Sequence, residues 1–376
     1  MKKILAAILS AAMVGSLVSC GSTKSSSNDA GKGKKTIGIA MPAQELERWN
    51  SDGEYLKNKF ESAGYNVELK FSNNDAVKQN NDIVGMIDDG VDLLLIAAVE
   101  ADTLSATLDS AVEKNIPVVA YDRLIRDSSA ITYYVSYDNF EVGRLQGEFI
   151  RDALDLDNTA GPYNIEIVAG DSGDYNADRF FKGEMDVLEE YIESGKLVVP
   201  SGLKTFELVA TPGWTSDNAK ANMTKILNTY YSDGKQLDAV VCANDSTALG
   251  VIQALDESYK GSNTPVITGQ DGDIANLKNI VDGTQAMTVY KNVENEVSTA
   301  YEVCKMILDG DIPTGALVQS FPFEARYDSE SYNNGVKYVQ SYLLVPAVIT
   351  DTNLQLLVNT GQYKWDSSEK YLESAK

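Results

Sequence analysis

The sequence predicts an α/β protein of two lobes, each built on a doubly wound parallel sheet. Short apolar runs alternate with amphipathic stretches from Thr36 onward, and the pattern restarts once after Tyr137. Runs such as 93–96 and 117–120 are apolar throughout, which is typical of strands buried on both faces of a parallel sheet. Strands that alternate with helices favour βαβ units, and about 340 residues follow the N-terminal segment, enough for two domains.

The first half of the chain supplies five strands and three helices. The predicted strands are residues 36–41, 67–71, 92–97, 117–121 and 131–137. The predicted helices lie near 54–63, 76–88 and 103–114. Gly64 and Gly90 directly follow two of these helices, where glycine is favoured because it adopts a left-handed backbone without strain.

The second half repeats the pattern without a close sequence repeat. Its predicted strands are 165–169, 197–199, 208–210, 239–243 and 266–269, and its helices lie near 178–193, 217–231 and 246–259. A strand at 286–290, a helix at 293–308 and mixed short strands to Tyr363 follow. The pattern alone does not assign those later strands to either lobe.

The N-terminus has the pattern of an export signal. Two lysines precede an apolar stretch, residues 4–18, which is too short to span a bilayer comfortably. The stretch ends in the letters LVSC at 17–20, which resemble the lipobox of bacterial lipoproteins, in which the cysteine is acylated and becomes the N-terminus. We therefore predict a signal peptide over 1–19, a lipid anchor on Cys20 and a flexible tether over 20–35. An ordinary signal peptide with a chance cysteine is the alternative.

Composition argues against several classes of function. A formal net charge of −23 would repel phosphate backbones, so nucleic-acid binding is not expected. The chain has no histidine, which removes the commonest general base and metal ligand, so we expect neither an enzyme nor a cofactor. Cys242 and Cys304 lie in apolar patterns and are expected to be buried small hydrophobic residues.

Polar and aromatic residues follow most of the predicted strands, at the carboxyl ends where ligands bind in open α/β sheets. In strand order they are Gln44, Arg48 and Trp49; Asp122 and Arg123; Asp138 and Asn139; residues 171–176 and Phe180; Asn244 and Asp245; Gln270 and Asp271; and Lys291. Their carboxylates, amides and cations can pair with vicinal sugar hydroxyls, and the C–H face of a pyranose stacks on an indole such as Trp49 or Trp214. Because the opposite charges balance, the set suits an uncharged sugar.

Each of these residues also has a purely structural interpretation. A single aspartate at a strand end is more often a helix cap or a turn residue than a ligand. Residues 244–246 would serve as an N-cap, and Trp214, which follows a Pro-Gly pair, could cover a core from a loop. The hypothesis of a sugar site therefore depends on the repetition of such residues after successive strands.

Several segments of the chain resemble the bacterial xylose-binding proteins and the related multiple-monosaccharide-binding proteins. They are ERW at 47–49, AYDR at 120–123, YDN at 137–139, AND at 243–245, GQD at 269–271, GTQ at 283–285 and TVYK at 288–291. Segments 161–166, 194–199 and 334–344 look closer to the multiple-sugar branch. The resemblance runs in consistent order from about residue 35 to residue 363.

The resemblance implies a type I periplasmic-binding-protein fold, in which two lobes joined by a hinge of three crossover strands close over a pyranose. The lobes would be residues 36–138 with about 272–318, and 139–271 with about 319–363, before a tail at 364–376. Carried over motif by motif, the ligand-binding residues would be Arg48, Trp49, Asp122, Arg123, Asp138, Asn176, Trp214, Asn244, Asp271 and Lys291. The chain departs from the family at 174–177, where it has DYNA and the family often shows DNNA, which leaves the sugar and the second stacking aromatic open.

One loop has part of the spacing of an EF-hand. Asp155, Asp157, Thr159 and Glu166 lie at positions 1, 3, 5 and 12 of such a loop, and galactose-binding relatives are similar in carrying calcium there. Position 6 is alanine instead of glycine, a proline stiffens the turn, and Glu166 falls within a predicted strand. We therefore predict no metal site.

The function that these observations favour is the capture component of a monosaccharide ABC importer, for an aldose such as xylose, glucose, galactose or arabinose. The protein would be a monomer, held by its lipid on the outer face of the cell membrane, with a membrane permease as its partner. A sugar-sensing module for a chemoreceptor or sensor kinase is the alternative. A glycoside hydrolase using Asp122, Asp138 or Asp271 is disfavoured because no environment that raises a carboxyl pKa is evident. The export signal argues against a sugar-responsive repressor.

Overall fold

Two separate sheets organise the chain, and their elements alternate much as the sequence predicts. The computed structural model describes residues 33–375, so the predicted signal peptide, Cys20 and nearly all of the tether lie outside the described residues. In the described part of the chain, no helix is long and apolar enough to cross a membrane. The first elements are β1 (Thr36–Met41), α1 (Glu47–Ser62), β2 (Asn66–Phe71), α2 (Ala76–Asp89), β3 (Leu93–Ile96), α3 (Ser105–Glu113), β4 (Val118–Tyr121) and β5 (Ile131–Tyr137).

The chain then continues through a second set of elements and returns to the first sheet. The second set is α4 (Asn139–Ala153), β6 (Tyr163–Val168), α5 (Tyr175–Glu193), β7 (Leu197–Val198), α6 (Phe206–Val209), α7 (Ser216–Tyr230), β8 (Ala239–Cys242), α8 (Asp245–Ser258), β9 (Val266–Ile267), α9 (Ile274–Asp282) and β10 (Thr288–Tyr290). The last elements are α10 (Val293–Asp309), β11 (Ala325–Asp328), β12 (Gln340–Leu344), β13 (Ala347–Ile349), α11 (Gln355–Asn359), β14 (Tyr363–Trp365) and β15 (Leu372–Ser374). Short 3₁₀ helices occupy Pro212–Trp214 and Gly315–Ser320.

The first lobe is built on a seven-stranded sheet with the order β11-β12-β5-β4-β3-β1-β2. All neighbouring strands are parallel except β11, which runs antiparallel to β12. Helices α1 and α10 bury side chains such as Phe60 and Val303 against one face of the sheet. Helices α2 and α3 cover the other face with side chains such as Met86 and Leu108. Both faces are therefore buried, which explains why β3 and β4 are apolar at every position.

The second lobe contains a smaller parallel sheet with the order β7-β6-β8-β9. Helices α7 and α8 pack on one face, and α4 and α5 pack on the other. The pair α4 and α5 approach closely at two glycines: a Cβ added to Gly143 would lie 2.0 Å from the carbonyl oxygen of Phe180. A Cβ on Gly183 would lie 2.1 Å from the carbonyl oxygen of Phe140. Only glycine permits this backbone contact between the helices.

Three connections between the sheets lie side by side in the described residues. The chain crosses from β5 into α4, from β10 into α10, and from β12 into β13. The backbone N–H of Asp138 donates to the carbonyl oxygen of Leu344 at 3.2 Å, and the Tyr137 hydroxyl donates to the carbonyl oxygen of Asn292 at 3.1 Å. These bonds connect all three crossings, so they form a single hinge region.

The structure corrects the predicted lobe boundaries. The assignment of 319–363 to the second lobe is wrong for β11 and β12, which extend the first sheet beside β5. The assignment of 272–318 to the first lobe is wrong for α9, which packs against α8, and for β10, which pairs with β13 and bridges to Gln270. An apolar pattern indicates that a strand is buried, but it does not indicate which sheet the strand joins.

Two other expectations also differ from the structure. Residues 206–209 form helix α6, where the sequence predicts a strand at 208–210, because a short apolar run does not distinguish the two. The predicted tail at 364–376 forms most of a hairpin, β14 with β15, and Leu372 packs against Leu277 and Leu357 of the second lobe. Cys242 and Cys304 are buried and free, as predicted.

Candidate functional site

A cleft lies between the two sheets, beyond the carboxyl ends of their strands. The space between its side chains measures about 470 Å³ when the part open to solvent is included. Nine of the ten predicted ligand residues line this space, and they come from both lobes. They are Arg48, Trp49, Asp122, Arg123, Asn176, Trp214, Asn244, Asp271 and Lys291. The structure therefore brings together side chains that are as far apart in the sequence as residues 48 and 291.

Asp138, the tenth predicted residue, does not line the cleft, and its assignment as a ligand residue is corrected. Its Oδ1 accepts a hydrogen bond from the backbone N–H of Glu141 at 3.3 Å, so it is the N-cap of α4. Its Oδ2 pairs with Arg326 at 2.7 Å. Both oxygens are thus used at the hinge, because a residue that starts a helix after a strand commonly caps it.

Arg48 is the centre of the polar side of the cleft. It lies in the first turn of α1, which begins earlier than the sequence predicts. Its Nε lies 2.5 Å from Asp52, its Nη2 lies 2.7 Å from Glu296 and 3.1 Å from Asp122, and its Nη1 lies 3.5 Å from Asp271. Burial lowers the pKa of Arg48, but the neighbouring acidic groups, Asp52 and Asp122 foremost, outweigh it and hold the pKa well above its ordinary value. The guanidinium is therefore a fixed cation.

Asp122 connects this cluster to the other lobe. It follows β4 with a left-handed backbone, φ 55°, which turns its side chain into the cleft. Its Oδ2 accepts from Lys291 Nζ at 3.1 Å, and its Oδ1 accepts from Asn176 Nδ2 at 3.1 Å. Burial raises the pKa of Asp122, but Lys291, Arg48 and Arg123 lower it more, and the net pKa lies below the ordinary value. Asp122 is therefore an ionised acceptor.

Aromatic rings line the cleft from both lobes. Trp49 belongs to the first lobe, and the guanidinium carbon of Arg123 lies 4.9 Å from its ring centroid. Trp214 belongs to the second lobe and meets Phe180 edge to face, with centroids 6.1 Å apart. Gly170 leaves room for that indole, since a Cβ there would lie 1.9 Å from Trp214 Cη2. Trp214 has φ 60°, a strained value for an aromatic residue that the surrounding fold imposes.

Asn244 supports both interpretations that the sequence leaves open. Its side chain caps α8 by accepting from the N–H of Thr247 at 3.0 Å, and Thr247 bonds back to complete a capping box. The same side chain also lines the cleft and donates to Asp271 at 3.4 Å. The capping role and the place in the cleft lining are therefore compatible, because one amide side chain makes both contacts.

Asp245 shapes the loop that carries Asp271. It is fully buried and accepts from the backbone N–H groups of Gly272 at 3.0 Å and Asp273 at 2.9 Å, and from Gln285 at 2.9 Å. Burial, reinforced by the charge of Asp271, raises the pKa of Asp245 to about 8. Asp245 thus holds a loop in which Asp271 has the unusual φ of 104°.

Asp174 is a site residue that the sequence motif contains but the prediction leaves out. Its Oδ1 caps α5 through the N–H of Asn176 at 2.9 Å. Its Oδ2 accepts from Trp214 Nε1 at 3.2 Å and lies 2.8 Å from Arg123 Nε of the other lobe. An aspartate a few residues before the predicted helix at 178–193 was a usable signal for the capping role.

Two further carboxyl groups, Asp52 and Glu296, lie behind Arg48 and are fully buried. The prediction leaves both out. Asp52 is four residues after Arg48 on α1, a spacing at which helical side chains meet, so it could be found once the helix start was known. Glu296 lies within a predicted helix far along the chain, and nothing local in the sequence connects it to Arg48.

In the EF-hand-like segment, Glu166 and Asp157 are engaged by other side chains and by the backbone. Glu166 lies in β6 and accepts from the backbone N–H of Ser201 at 3.1 Å and the hydroxyl of Tyr231 at 2.9 Å. Asp157 accepts from the hydroxyl of Tyr191. Within residues 33–375, no group of three or more acidic or cysteine side chains is arranged to hold a metal ion.

Comparison with known proteins identifies the family of this chain. A model described as a periplasmic binding protein domain matches residues 37–312. This chain belongs to the periplasmic binding protein family. The resemblance found in the sequence is confirmed: the multiple sugar-binding periplasmic receptor ChvE of Rhizobium radiobacter is 37% identical over 337 residues, 89% of this chain and 92% of the relative. The D-xylose-binding periplasmic protein of Escherichia coli is 34% identical over 330 residues, 87% of this chain and 91% of the relative.

Solved structures agree with the fold of this periplasmic binding protein. An ABC transporter solute binding protein from Clostridium phytofermentans, solved with bound β-D-glucose, is 44% identical with a TM-score of 0.83, covering 89% of this chain and 99% of its own. The predicted type I fold is confirmed. Members of the family are extracytoplasmic binding proteins, and the prediction of a binding protein instead of an enzyme is confirmed with it.

Proposed function

We propose that the protein captures a monosaccharide for an ABC importer, an aldose such as xylose, glucose, galactose or arabinose. The observation that carries the proposal is the cleft itself, where indoles from both lobes and a network of charged groups converge on one space. Its cations already pair with its carboxylates, so a neutral polyol can exchange hydrogen bonds with them and leave no ion unpaired. The similar proteins, which bind multiple sugars, D-xylose or β-D-glucose, support the same ligand class.

Contacts between the lobes support a mechanism of capture by closure. Arg48 of the first lobe meets Asp271 of the second at 3.5 Å, and Asn176 of the second lobe donates to the carbonyl oxygen of Asp122 at 2.8 Å. Ala101 N–H donates to the carbonyl oxygen of Gly173 at 2.9 Å at the edge of the cleft. Ligand residues on both lobes would reach one sugar only when the lobes are together, so binding selects the closed state.

The remaining parts of the proposal concern the cell surface. Cys20 would carry the lipid after removal of residues 1–19, and the rest of the tether would let the monomeric protein reach a membrane permease. A sensor partner would use the same closed form, and identification of the partner distinguishes the two roles. A hydrolytic role for Asp122 is disfavoured because its lowered pKa makes it a poor proton donor.

Calorimetric titration of the mature protein with a panel of pentoses and hexoses tests the proposal. We expect at least one aldopyranose to bind with one site per protein, because a single cleft carries the proposed ligand groups. The experiment requires protein shown to be folded by circular dichroism. A flat response to every sugar in the panel from folded protein would contradict the proposed function.

Replacing Asp271 by alanine is expected to weaken sugar binding at least tenfold. The change removes a carboxylate that contacts Arg48 at 3.5 Å, Lys291 at 3.8 Å and Asn244 at 3.4 Å. A hydrogen bond to a charged partner contributes about 1.5–3 kcal/mol, so the loss of one such bond to the sugar corresponds to tenfold or more. Asp256→Ala, an exposed change on α8, is the matched control, and equal dissociation constants for the two variants would mean that the site is misplaced.

A further inference from the structure

Glu296 contacts the sugar site only through Arg48. It lies in the first turn of α10, directly after the chain crosses the hinge, and it is fully buried. Its Oε2 accepts from Arg48 Nη2 at 2.7 Å. Its Oε1 has no hydrogen-bond partner among the described residues. The side chain does not line the cleft, so any effect it has on a sugar passes through the guanidinium.

The buried cluster around Arg48 holds more acids than bases. Its cations are Arg48 and Lys291. Its carboxyl groups are Asp52, Asp122, Asp271 and Glu296. A third cation, Arg123, lies nearby but is paired with Asp174. Four ionised carboxylates against two cations would leave excess charge in a largely dry site, which is strongly unfavourable. At least one of these carboxyl groups is therefore expected to be neutral.

The hydrogen bonds indicate which carboxyl group holds the proton. Asp122 accepts from Lys291, Arg48 and Asn176, an environment that favours a carboxylate. Asp52 accepts from both Arg48 and the hydroxyl of Tyr121, each through a different oxygen. Glu296 accepts from a single donor and leaves one oxygen without a partner. A negative charge is least compensated on Glu296, so protonation costs least there.

The groups that face Glu296 from each neighbouring element agree with this assignment. Arg48 and Asp52 face it from α1, and Asp122 and Lys291 face it from the ends of β4 and β10. Tyr121 of β4, Tyr134 of β5 and Tyr137 of β5 are also near, and burial raises the pKa of each of these hydroxyls, so they are neutral. Burial and the charge of Asp122 raise the pKa of Glu296 well above its ordinary value, although Arg48 opposes this.

We propose that Glu296 is a positioning residue, which as a neutral carboxylic acid fixes the guanidinium of Arg48 for contact with the sugar. The proposal rests on the proposed function of the cleft. A neutral acid still offers its carbonyl oxygen to Arg48, so it orients the guanidinium without competing with Asp122 and Asp271 for positive charge. Arg48 is thereby held rigidly by Asp52 and Glu296 on its inner side, while its other N–H groups face the cleft.

The test compares two replacements of similar size. Glu296→Met removes the acceptor, and sugar affinity is expected to fall at least tenfold because Arg48 loses one of its two inner contacts. Glu296→Gln keeps a carbonyl oxygen and is uncharged, as the protonated acid is, so it is expected to recover most of that loss. Glu302→Gln removes an acid from a site further along the same helix and is the matched control.

An infrared spectrum of the unliganded protein at neutral pH tests the protonation itself. Buried Asp245 and Glu184 also stay protonated at this pH, so the comparison is a difference spectrum: the wild-type spectrum is expected to contain one C=O band of a protonated carboxylic acid that Glu296→Gln loses and Glu302→Gln keeps. The inference is overturned if no such band is lost, or if Glu296→Gln binds sugar as weakly as Glu296→Met. Wild-type protein that binds no sugar would instead count against the proposed function, and the infrared result would still decide the protonation of Glu296.

Discussion

Replacing Arg48 by methionine is expected to weaken sugar binding more than 100-fold and to destabilise the folded protein. Four carboxyl groups contact this one guanidinium, and three of them are buried to 3% exposure or less. Removing one partner of a buried ion pair costs about 3–5 kcal/mol because the other charge stays buried and unpaired. A 100-fold loss of affinity corresponds to about 2.7 kcal/mol, which two lost hydrogen bonds to a sugar would supply.

Calorimetry and urea denaturation measure the two effects separately. Lys57→Met, which removes a cation from the same helix outside the cleft, is the control and is expected to change neither. Arg48→Lys keeps the positive charge and therefore much of the stability, but one ammonium group cannot reproduce the directed fork of N–H groups, so affinity is still expected to fall at least tenfold. Sugar binding that is unchanged in Arg48→Lys would mean that the site needs only a charge, contrary to the geometry.

The order of strands and helices could be read from the sequence, but the membership of the sheets could not. Apolar runs such as Leu93–Ile96 identify strands because burial on both faces leaves no polar position. The segments of β11 and β12 read ARYD and QSYLL, a mixed pattern that does not show that both strands join the first sheet. Which sheet receives a strand depends on contacts over long sequence distances, and no local pattern records them.

The candidate site was predictable where its residues sit at strand ends. Asp122 follows β4 of the first sheet, and Asn244 and Asp271 come shortly after β8 and β9 of the second, so the topology places them at the carboxyl edges of the two sheets, on either side of the cleft. Asp138 satisfies the same rule and yet points away, because the backbone at the hinge uses it as the cap of α4. Glu296 satisfies no such rule, since its place beside Arg48 comes from the packing of α10 on α1. Strand-end reasoning therefore finds the groups that line the cleft and misses those that support them.

Glu184 is expected to make the folded protein less stable as the pH rises from 5 to 8. It lies on α5 in the close contact with α4, and neither carboxyl oxygen has a hydrogen-bond partner among the described residues. Burial raises its pKa from 4.5 to about 8. Between these two values the unfolded chain ionises Glu184 while the folded protein keeps it protonated, so stability is full below pH 4.5 and is lost as pH rises towards 8.

Replacing Glu184 by glutamine removes this penalty, so we expect the variant to gain stability over the wild-type protein with rising pH. The slope for one group is about 1.4 kcal/mol per pH unit, which puts the gain at about 3 kcal/mol at pH 7 relative to pH 5. Urea denaturation at pH 5, 6, 7 and 8 measures it, with Glu189→Gln, an exposed change on the same helix, as the control. Because glutamine and the protonated acid have nearly the same shape and polarity, the difference between the two proteins should be smallest at pH 5. A gain of the same size at every pH would show that Glu184 has the same pKa in the folded and unfolded protein, which would contradict the effect of its burial between α4 and α5.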